Sequence, residues 1–125
     1  MRTNTLRMPL VACALMALAG CSASPESTVE RFYRAVAEGE ITEARGYISQ
    51  QVVGMLGEEK LATTLSAETQ RVQACGGITD IEVELQDGAE VRFGTVVVKY
   101  ETCPEKRENL KLVKEDGDWK LGASK

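Results

Sequence analysis

The 125-residue sequence contains no histidine. This absence removes the side chain most often used as a general base and as a metal ligand. It also removes the usual serine–histidine and cysteine–histidine pairs of nucleophilic catalysis. The chain has no glycine-rich phosphate-binding loop either, because its glycines are scattered at predicted helix ends and turns. We therefore predict no catalytic constellation, no metal site and no cofactor.

The first 20 residues are predicted to be a signal peptide and not part of a fold. Arg2 and Arg7 supply positive charge without an acidic residue, and residues 8–20 are apolar or small. That stretch is shorter than the roughly 20 apolar residues that a membrane-spanning helix needs, and it suits the apolar region of a secretory signal. It leads into a segment that resembles the lipobox of bacterial lipoproteins, Leu18-Ala19-Gly20-Cys21.

The lipobox resemblance implies lipidation of Cys21. It implies transfer of diacylglycerol to the sulfur, cleavage before Cys21 and acylation of the new amino group. Each buried CH₂ contributes about 0.8 kcal/mol, so one chain binds marginally and two or more anchor a protein stably. The alternatives are an ordinary secretory signal that holds a cysteine, or a buried core helix. By analogy with Gram-negative sorting, Ser22 in place of an aspartate favours the outer membrane, on its periplasmic face.

Cleavage before Cys21 would leave 105 residues, which suits one domain, and we predict a single α+β domain over residues 25–125. Residues 21–24 form the lipidated N-terminus and a spacer that reaches only about 10 Å when extended. Loss of Arg2 and Arg7 would change the net charge from −4 to −6. This charge argues against nucleic-acid binding, which requires basic patches, and it leaves the membrane contact to the acyl chains.

The chain has four cysteines, and two of them remain for a disulfide. Cys13 would leave with the signal and Cys21 would carry lipid. Cys75 and Cys103 are then a single pair in an oxidising compartment, and we predict that they form a disulfide. Two separate buried thiols are the alternative. A redox-catalytic pair is less favoured, because no Cys-x-x-Cys spacing occurs.

Helical periodicity organises the first half of the mature chain. Ser24 and Pro25 are predicted as the N-cap and first residue of a helix whose stripe includes Val29. Thr42 is predicted to cap a short second helix that carries Ala44, Tyr47 and Ile48. Residues 51–74 are helical in composition, with the ordered helix starting near Glu58, because glycines weaken the earlier part.

After Gly77 the apolar period changes to two, which predicts strands. Asp87-Gly88 and Asp116-Gly117 are hairpin signals. In the run 90–102, Val91 and Phe93 share one phase of alternation and the later apolar residues share the other. Gly94 lies at the phase change, so we predict a bulge there. The four predicted strands carry the apolar residues Ile81, Val83 and Leu85; Val91 to Tyr100; Leu110 and Leu112; and Trp119 and Leu121.

Three segments carry a family resemblance: Pro25-x-x-x-Val29-x-x-Phe32-Tyr33-x-Ala35-Val36-x-x-Gly39-Glu40-Ile41-x-x-Ala44-x-x-Tyr47-Ile48-Ser49, Gly76-Gly77-Ile78 and Asp116-Gly117-Asp118-Trp119-Lys120-Leu121. They resemble small bacterial lipoproteins with a domain of unknown function, in the nuclear transport factor 2-like (NTF2-like) superfamily. The resemblance implies an α+β fold in which N-terminal helices pack on a curved four-stranded antiparallel sheet, as a cone around a pocket. Glu40-Ile41 departs from the pattern, which more often has Asp and an aromatic residue. These are packing motifs, so they indicate fold and not function.

Four aromatic residues are candidates to line that pocket: Tyr33, Tyr47, Tyr100 and Trp119. Tyr33 and Tyr47 lie on apolar stripes, so a core position is favoured for both, and Trp119 is predicted to seal the contact between sheet and helices. A pocket role is the alternative for these three residues. Some enzymes on this superfamily's cone use an acid as base and a tyrosine as oxyanion donor, and Glu30, Asp80 and Glu82 are the acids considered. Asp80 and Glu82 alternate with apolar residues, which is more typical of a solvated strand face.

The leading hypothesis is a membrane-anchored bacterial envelope lipoprotein that acts as a non-enzymatic binding or accessory module. Its partners would be the membrane, through lipid on Cys21, and an envelope protein or a small apolar ligand. A pocket enzyme and a purely structural subunit are the alternatives. A large apolar pocket with a desolvated acid would favour the enzyme, whereas a filled cone with an exposed apolar patch would favour a protein partner.

Overall fold

A computed structural model of the chain describes residues 23–123. The predicted signal peptide, Cys21 and Ser22 lie outside these residues, so the predictions made for them stay predictions. Helices come first and an antiparallel sheet follows, which confirms the predicted α+β class. The elements are α1 (Pro25–Ala37), α2 (Ile41–Gly46), α3 (Gln50–Leu56), α4 (Glu58–Ala74), β1 (Ile78–Leu85), β2 (Val91–Tyr100), β3 (Lys106–Glu115) and β4 (Asp118–Leu121).

Helix α1 begins where its local sequence predicts. Ser24 is the N-cap, and its hydroxyl oxygen accepts a hydrogen bond from the Ser27 backbone N–H at 3.1 Å. Pro25 takes the first helical position, where a missing N–H costs no hydrogen bond. Val29 and Val36 are buried on one face of the helix, so the predicted apolar stripe faces the core.

Helix α2 corrects the prediction that Thr42 is its cap and that it carries Tyr47 and Ile48. Thr42 lies inside the helix, which follows Glu40 and ends at Gly46. Ile48 instead forms a parallel bridge with Leu121, where the Leu121 N–H donates to Tyr47 O at 2.8 Å and Ser49 N–H donates to Leu121 O at 2.9 Å. Pairing with the edge of the sheet thus satisfies backbone groups that a longer helix would have used.

Helix α4 starts at Glu58, as predicted, and residues 50–56 form the separate helix α3. Gly57 separates the two helices, because its φ of +87° lies in the region that only glycine adopts at little cost. The hydroxyl of Ser49 caps α3 by accepting from Val52 N–H at 3.3 Å. Leu61 and Leu65 of α4 pack with apolar side chains of α1, α2 and α3 in a cluster between the helices.

The four strands form one antiparallel sheet in the order β1-β2-β3-β4, curled into a half-barrel whose concave face is packed against the helices. Alternate side chains of the sheet point inward to the helices or outward. Val29 of α1 and Val72 of α4 belong to the same buried cluster as the inward side chains of the sheet. These inward residues are Ile81, Val96, Val98, Tyr100, Leu110, Leu112 and Trp119.

The predicted bulge at Gly94 is wrong. Pairing runs without interruption through Gly94, which lies opposite Leu85 of β1 and Leu110 of β3. The register shift between β1 and β2 falls instead between Ile78 and Asp80. Because the alternation of faces is unbroken, Val91 and Phe93 are on the opposite face of the strand from Val96, Val98 and Tyr100. They lie on the outer face of β2, where they are 38% and 53% exposed.

Gly94 has a different reason to be glycine. A Cβ at this position would lie 1.9 Å from the backbone oxygen of Glu84 and 2.8 Å from Cα of Leu85. Both atoms belong to the neighbouring strand, so no side-chain rotation can make room. The close approach of β1 to β2 excludes any side chain here.

A Gly94→Ala variant is therefore expected to lower the free energy of unfolding by about 1–3 kcal/mol, the usual range for overpacking. Gly54→Ala is the matched control, because Gly54 lies inside α3 with no atom within 4 Å of an added Cβ. Better helix propensity should make that variant neutral or up to about 1 kcal/mol more stable. Urea unfolding measures both changes, and equal stability of the two variants would contradict the close approach.

The predicted disulfide between Cys75 and Cys103 is present in the structure. Cys75 follows α4 and is buried in the sheet core, and Cys103 lies in the connection between β2 and β3. Beside the bridge, Thr102 N–H donates to Cys75 O at 2.9 Å and Glu101 N–H donates to Gly77 O at 3.1 Å. The bridge thus closes one end of the sheet against the end of α4.

The two ends of the sheet differ. Residues 86–90 connect β1 to β2 and residues 116–117 connect β3 to β4, and both connections lie at the end that we call the hairpin end. The opposite end, which holds Cys75 and Cys103, is the disulfide end. The predicted Asp87-Gly88 hairpin is present, but its connection is this longer segment and not a two-residue turn.

Candidate functional site

The concave interior of the sheet is occupied by the chain's own side chains. Leu112, Val29, Val96 and Val98 are all less than 2% exposed. Trp119 is 8% exposed and belongs to the same cluster. The space that the family resemblance describes as a pocket is therefore largely packed in this chain, as protein cores are.

A polar network lies at the edge of this core, between α1, α4 and the sheet. The Tyr33 hydroxyl donates to Glu108 Oε1 at 2.6 Å, and Lys106 Nζ lies 3.0 Å from the other oxygen of Glu108. Arg71 Nη2 donates to Glu68 Oε2 at 2.6 Å and to the Tyr100 hydroxyl at 2.9 Å. Lys106 Nζ also lies 3.9 Å from Glu68 Oε2, which joins the two halves. The network has two acidic and two basic members, so their charges balance.

Local structure explains why these residues meet. Glu68 and Arg71 are three positions apart on α4, so they share one face of the helix. Lys106 and Glu108 are two positions apart on β3, so their side chains point to the same, inner face. Tyr33 on α1 then completes the network from above the sheet.

The network shifts the pKa values of three of its members, Tyr33, Glu68 and Arg71. Burial, and then the hydrogen bond to Glu108, raise the pKa of Tyr33 above its ordinary value, so its hydroxyl stays protonated and donates. The hydrogen bond from Arg71 holds the pKa of Glu68 below its ordinary value, although partial burial opposes this. The hydrogen bond to Glu68 is also the main reason that the pKa of Arg71 is raised. Each charge is thus matched by a neighbour, and Tyr33 supplies no base near neutral pH.

Stability at alkaline pH should report the Tyr33–Glu108 contact. Because the pKa of Tyr33 is raised by folding, the stability from its neutral form is present below the unfolded value, about pH 10, and is lost as pH rises above it. Tyr33→Phe should remove this part of the alkaline loss and cost about 1 kcal/mol at pH 7 through the lost hydrogen bond.

Urea unfolding at pH 7 and above pH 10 tests this expectation. Tyr47→Phe is the control, because the Tyr47 hydroxyl makes a longer, exposed hydrogen bond of 3.2 Å to Glu43. The pKa of Tyr47 is also raised, by partial burial and then by that hydrogen bond, so this variant is the control for the cost at pH 7, where it should change stability less. An alkaline loss in Tyr33→Phe as large as that of the wild type would contradict the assignment.

The four aromatic residues predicted to line a pocket fall into two groups. Tyr33 and Tyr100 lie in the polar network. Tyr47 and Trp119 instead line a depression at the hairpin end, together with Ala23, Thr28, Arg31, Gly46, Asp118 and Lys120. Arg92 Cζ and Lys114 Nζ each lie 5.3 Å from the centre of the Trp119 ring, within cation–π distance. A ligand contact by any of the four stays a prediction.

The acids considered for catalysis do not enter the core. Glu30, Asp80 and Glu82 are exposed, and Glu82 pairs with Lys99 at 3.2 Å on the surface. Over residues 23–123 no group of three or more acidic or cysteine side chains could hold a metal ion. The same residues include no helix with the length and apolar character to cross a bilayer.

Sequence reasoning missed two exposed apolar pairs. Met55 and Leu56 end α3 and are 63% and 37% exposed, and Val91 and Phe93 form the outer pair on β2. In the sequence, these apolar residues fall outside the periodicity of the residues that form the core. On β2 we interpreted this departure as a bulge.

The profile of the family described as "Domain of unknown function (DUF4878)" matches residues 19–122. No curated protein matches the sequence. A solved Campylobacter jejuni protein named as an NTF2-like transpeptidase has a TM-score of 0.72 at 18% identity, over 82% of this chain and 100% of that chain. A SEC-C motif containing protein from Rhodopseudomonas palustris has a TM-score of 0.59 at 12% identity, over 90% and 87% of the two chains. At such identities the likeness shows the fold alone, and that fold is NTF2-like.

Proposed function

The chain belongs to the family described as "Domain of unknown function (DUF4878)", and from that premise we propose that it is a lipid-anchored lipoprotein of the bacterial envelope. Its role is to bind a neighbouring envelope protein without catalysing a reaction. The order of positive segment, apolar run and lipobox supports an anchor at Cys21. Ser22 supports the periplasmic face of the outer membrane.

The observation that carries the binding role is a filled cone with apolar side chains left outside it. Small-molecule sites are commonly concave spaces of about 300–1,000 Å³ lined by apolar groups. Here Leu112 and Val96 occupy the interior without exposure, and the groove of about 570 Å³ that adjoins the sheet next to Glu26 is open and is lined partly by the polar residues Glu84 and Gln86. Met55 and Leu56, by contrast, are exposed side by side at the end of α3. An exposed apolar surface of this kind suits a protein partner better than a small apolar ligand suits the packed interior.

One contact favours the alternative, a pocket enzyme that uses a carboxylate and a tyrosine. Tyr33 and Glu108 are 2.6 Å apart, which is the geometry of an acid–base pair. However, the carboxylate of Glu108 is also paired with Lys106, so it is not free to act as a base. The cysteines of the described region are joined in a disulfide, so neither is a free nucleophile. Loss of a cellular phenotype in Glu108→Gln, with partner binding and stability unchanged, would favour the enzyme.

Photo-cross-linking in cells tests the binding role on the full-length chain. Benzoylphenylalanine at position 55 should yield adducts with an envelope protein that also co-purifies from mild detergent. The same group at position 63, which is exposed and polar on α4, is the matched control and should yield none. Absence of protein adducts at position 55, with nothing co-purifying, would contradict the binding role.

A further inference from the structure

The described chain begins at the hairpin end of the sheet. Ala23 lines a depression with Asp118 and Trp119 at the start of β4. Glu26, in the first turn of α1, lines a groove with Gln86 and Gly94, where β1 leads into its connection to β2. The first turn of α1 therefore lies between the two hairpin connections.

The distance from Ala23 to the anchor is short. Only Ser22 separates Ala23 from Cys21, and two extended residues span about 7 Å. Lipid on Cys21 would hold the hairpin end near the membrane surface. The disulfide end and the polar network would then face away from the bilayer.

An apolar strip lies on the outer face of the sheet at this same end. Val91 and Phe93 lie two positions apart on β2, so they share its outer face, and Val113 of β3 lies opposite Val91. The backbone oxygen of Phe93 accepts a hydrogen bond from Gln86 N–H at 2.8 Å, so Phe93 lies beside Gln86. Gln86 lines the groove beside Glu26, so Phe93 lies close to the first turn of α1.

A lysine borders the strip. Lys111 Nζ lies 6.0 Å from the centre of the Phe93 ring. Lys120 of β4 is paired with Val113, but its Nζ donates to Gly46 O at 2.6 Å, so Lys111 is the lysine that the strip offers to lipid. In a bilayer interface, aromatic and apolar side chains enter the boundary between headgroups and acyl chains, while lysine stems lie along apolar surface and reach lipid phosphates. The strip thus has the chemistry of a surface that lies on lipid headgroups.

We propose that the outer-face strip formed by Val91, Phe93 and Val113, with Lys111, lies on the headgroup surface of the membrane that holds Cys21. This inference rests on the proposed function, because the anchor brings the strip to the membrane. Asp87 and Glu90 in one connecting segment, and the pair Glu115 and Asp118 that flanks the other, would be repelled by anionic headgroups, so the strand face makes the contact and the loop tips do not. Two half-exposed apolar side chains bind lipid weakly alone, and the anchor supplies the high local concentration. The contact therefore sets the orientation of the domain.

Single-cysteine labelling of the full-length, lipidated protein tests the orientation. With Cys13 removed, Cys21 alkylated and Cys75 bonded to Cys103, an introduced cysteine carries the only reactive thiol. Phe93→Cys labelled with a nitrobenzoxadiazole fluorophore, in phosphatidylethanolamine/phosphatidylglycerol vesicles, should lose emission when lipids with spin-labelled headgroups are included. Glu105→Cys, exposed near the disulfide end, is the matched control and should keep its emission. Val91→Cys, which retains Phe93, should behave like Phe93→Cys.

The outcomes separate the two proposals. Acylated Cys21 by mass spectrometry, vesicle co-sedimentation and quenching at position 93 but not 105 support the orientation. Acylation and co-sedimentation with equal quenching at both positions overturn the orientation and leave the anchor standing. A label at Met55→Cys that is quenched more than the one at position 93 also overturns it, because a different face then meets the lipid. Absence of acyl mass and of co-sedimentation removes the anchor and the orientation together.

Discussion

A Cys21→Ser variant is expected to take up no fatty acid and to keep its signal segment. The hydroxyl of serine is not alkylated as a thiolate is, and lipobox processing follows alkylation. The wild type should therefore yield a labelled product that has lost residues 1–20, and the variant an unlabelled precursor that keeps them. Each acyl CH₂ contributes about 0.8 kcal/mol of membrane binding, so the loss of two or more chains removes the lipid anchor completely.

Metabolic labelling with an alkyne analogue of palmitate, followed by intact-mass measurement, gives both readouts. Cys13→Ser is the matched control, because Cys13 lies in the apolar run and outside the lipobox; it should be labelled and cleaved as the wild type is. Fractionation alone would be ambiguous, since an uncleaved apolar segment can itself hold the precursor at the membrane. Equal labelling of Cys21→Ser and the wild type would contradict lipidation at this cysteine.

Features decided by neighbours in sequence were predictable. The Ser24-Pro25 start of α1 and the glycine break before Glu58 follow from capping and backbone preferences that act over a few residues. The alternation from Ile81 to Leu85 likewise predicted β1. In each case the physical cause lies within one turn or one strand, where periodicity and capping can detect it.

Features decided by distant partners were not predictable. Thr42 has the chemistry of a cap, but the backbone after Gly46 pairs with Leu121, which is far along the chain. Gly94 was interpreted through its own strand, whereas its cause is the backbone of Glu84 on the adjacent strand. A pattern within one element cannot report how closely another element approaches it.

The candidate site divides in the same way. Tyr33 and Tyr100 were identified as candidates, but Glu108, which is 75 positions from Tyr33, was not. The spacing of Glu68 and Arg71 on α4 was visible as an i,i+3 pair, yet their partner Lys106 depends on how α4 crosses the sheet. Whether the cone is hollow or filled depends on whether the inward side chains fill the space that the curved sheet encloses. The periodicity of the sequence gives neither volume.

Removal of the disulfide is expected to lower the free energy of unfolding by about 3–4 kcal/mol, on the chain-entropy estimate for a closed loop of this length. Cys75 and Cys103 are 28 positions apart. For a domain near 100 residues, this loss corresponds to a fall in melting temperature on the order of 15–25 °C. Cys75→Ala with Cys103→Ala is the preferred variant, because Cys75 is 5% exposed and a serine would bury an unpaired hydroxyl.

Reductant supplies the internal control for this last prediction. Reductant should lower the melting temperature of the wild type towards that of the double alanine variant and leave the variant unchanged. Because the bridge acts mainly by restricting the unfolded chain, amides of the sheet core such as Val96 should lose hydrogen-exchange protection as much as the Thr102 amide beside the bridge does. Loss confined to Thr102, which bonds to Cys75 O at 2.9 Å, would mean that the bridge only fastens the disulfide end. An unchanged melting temperature of the wild type in reductant would contradict the stabilising role itself.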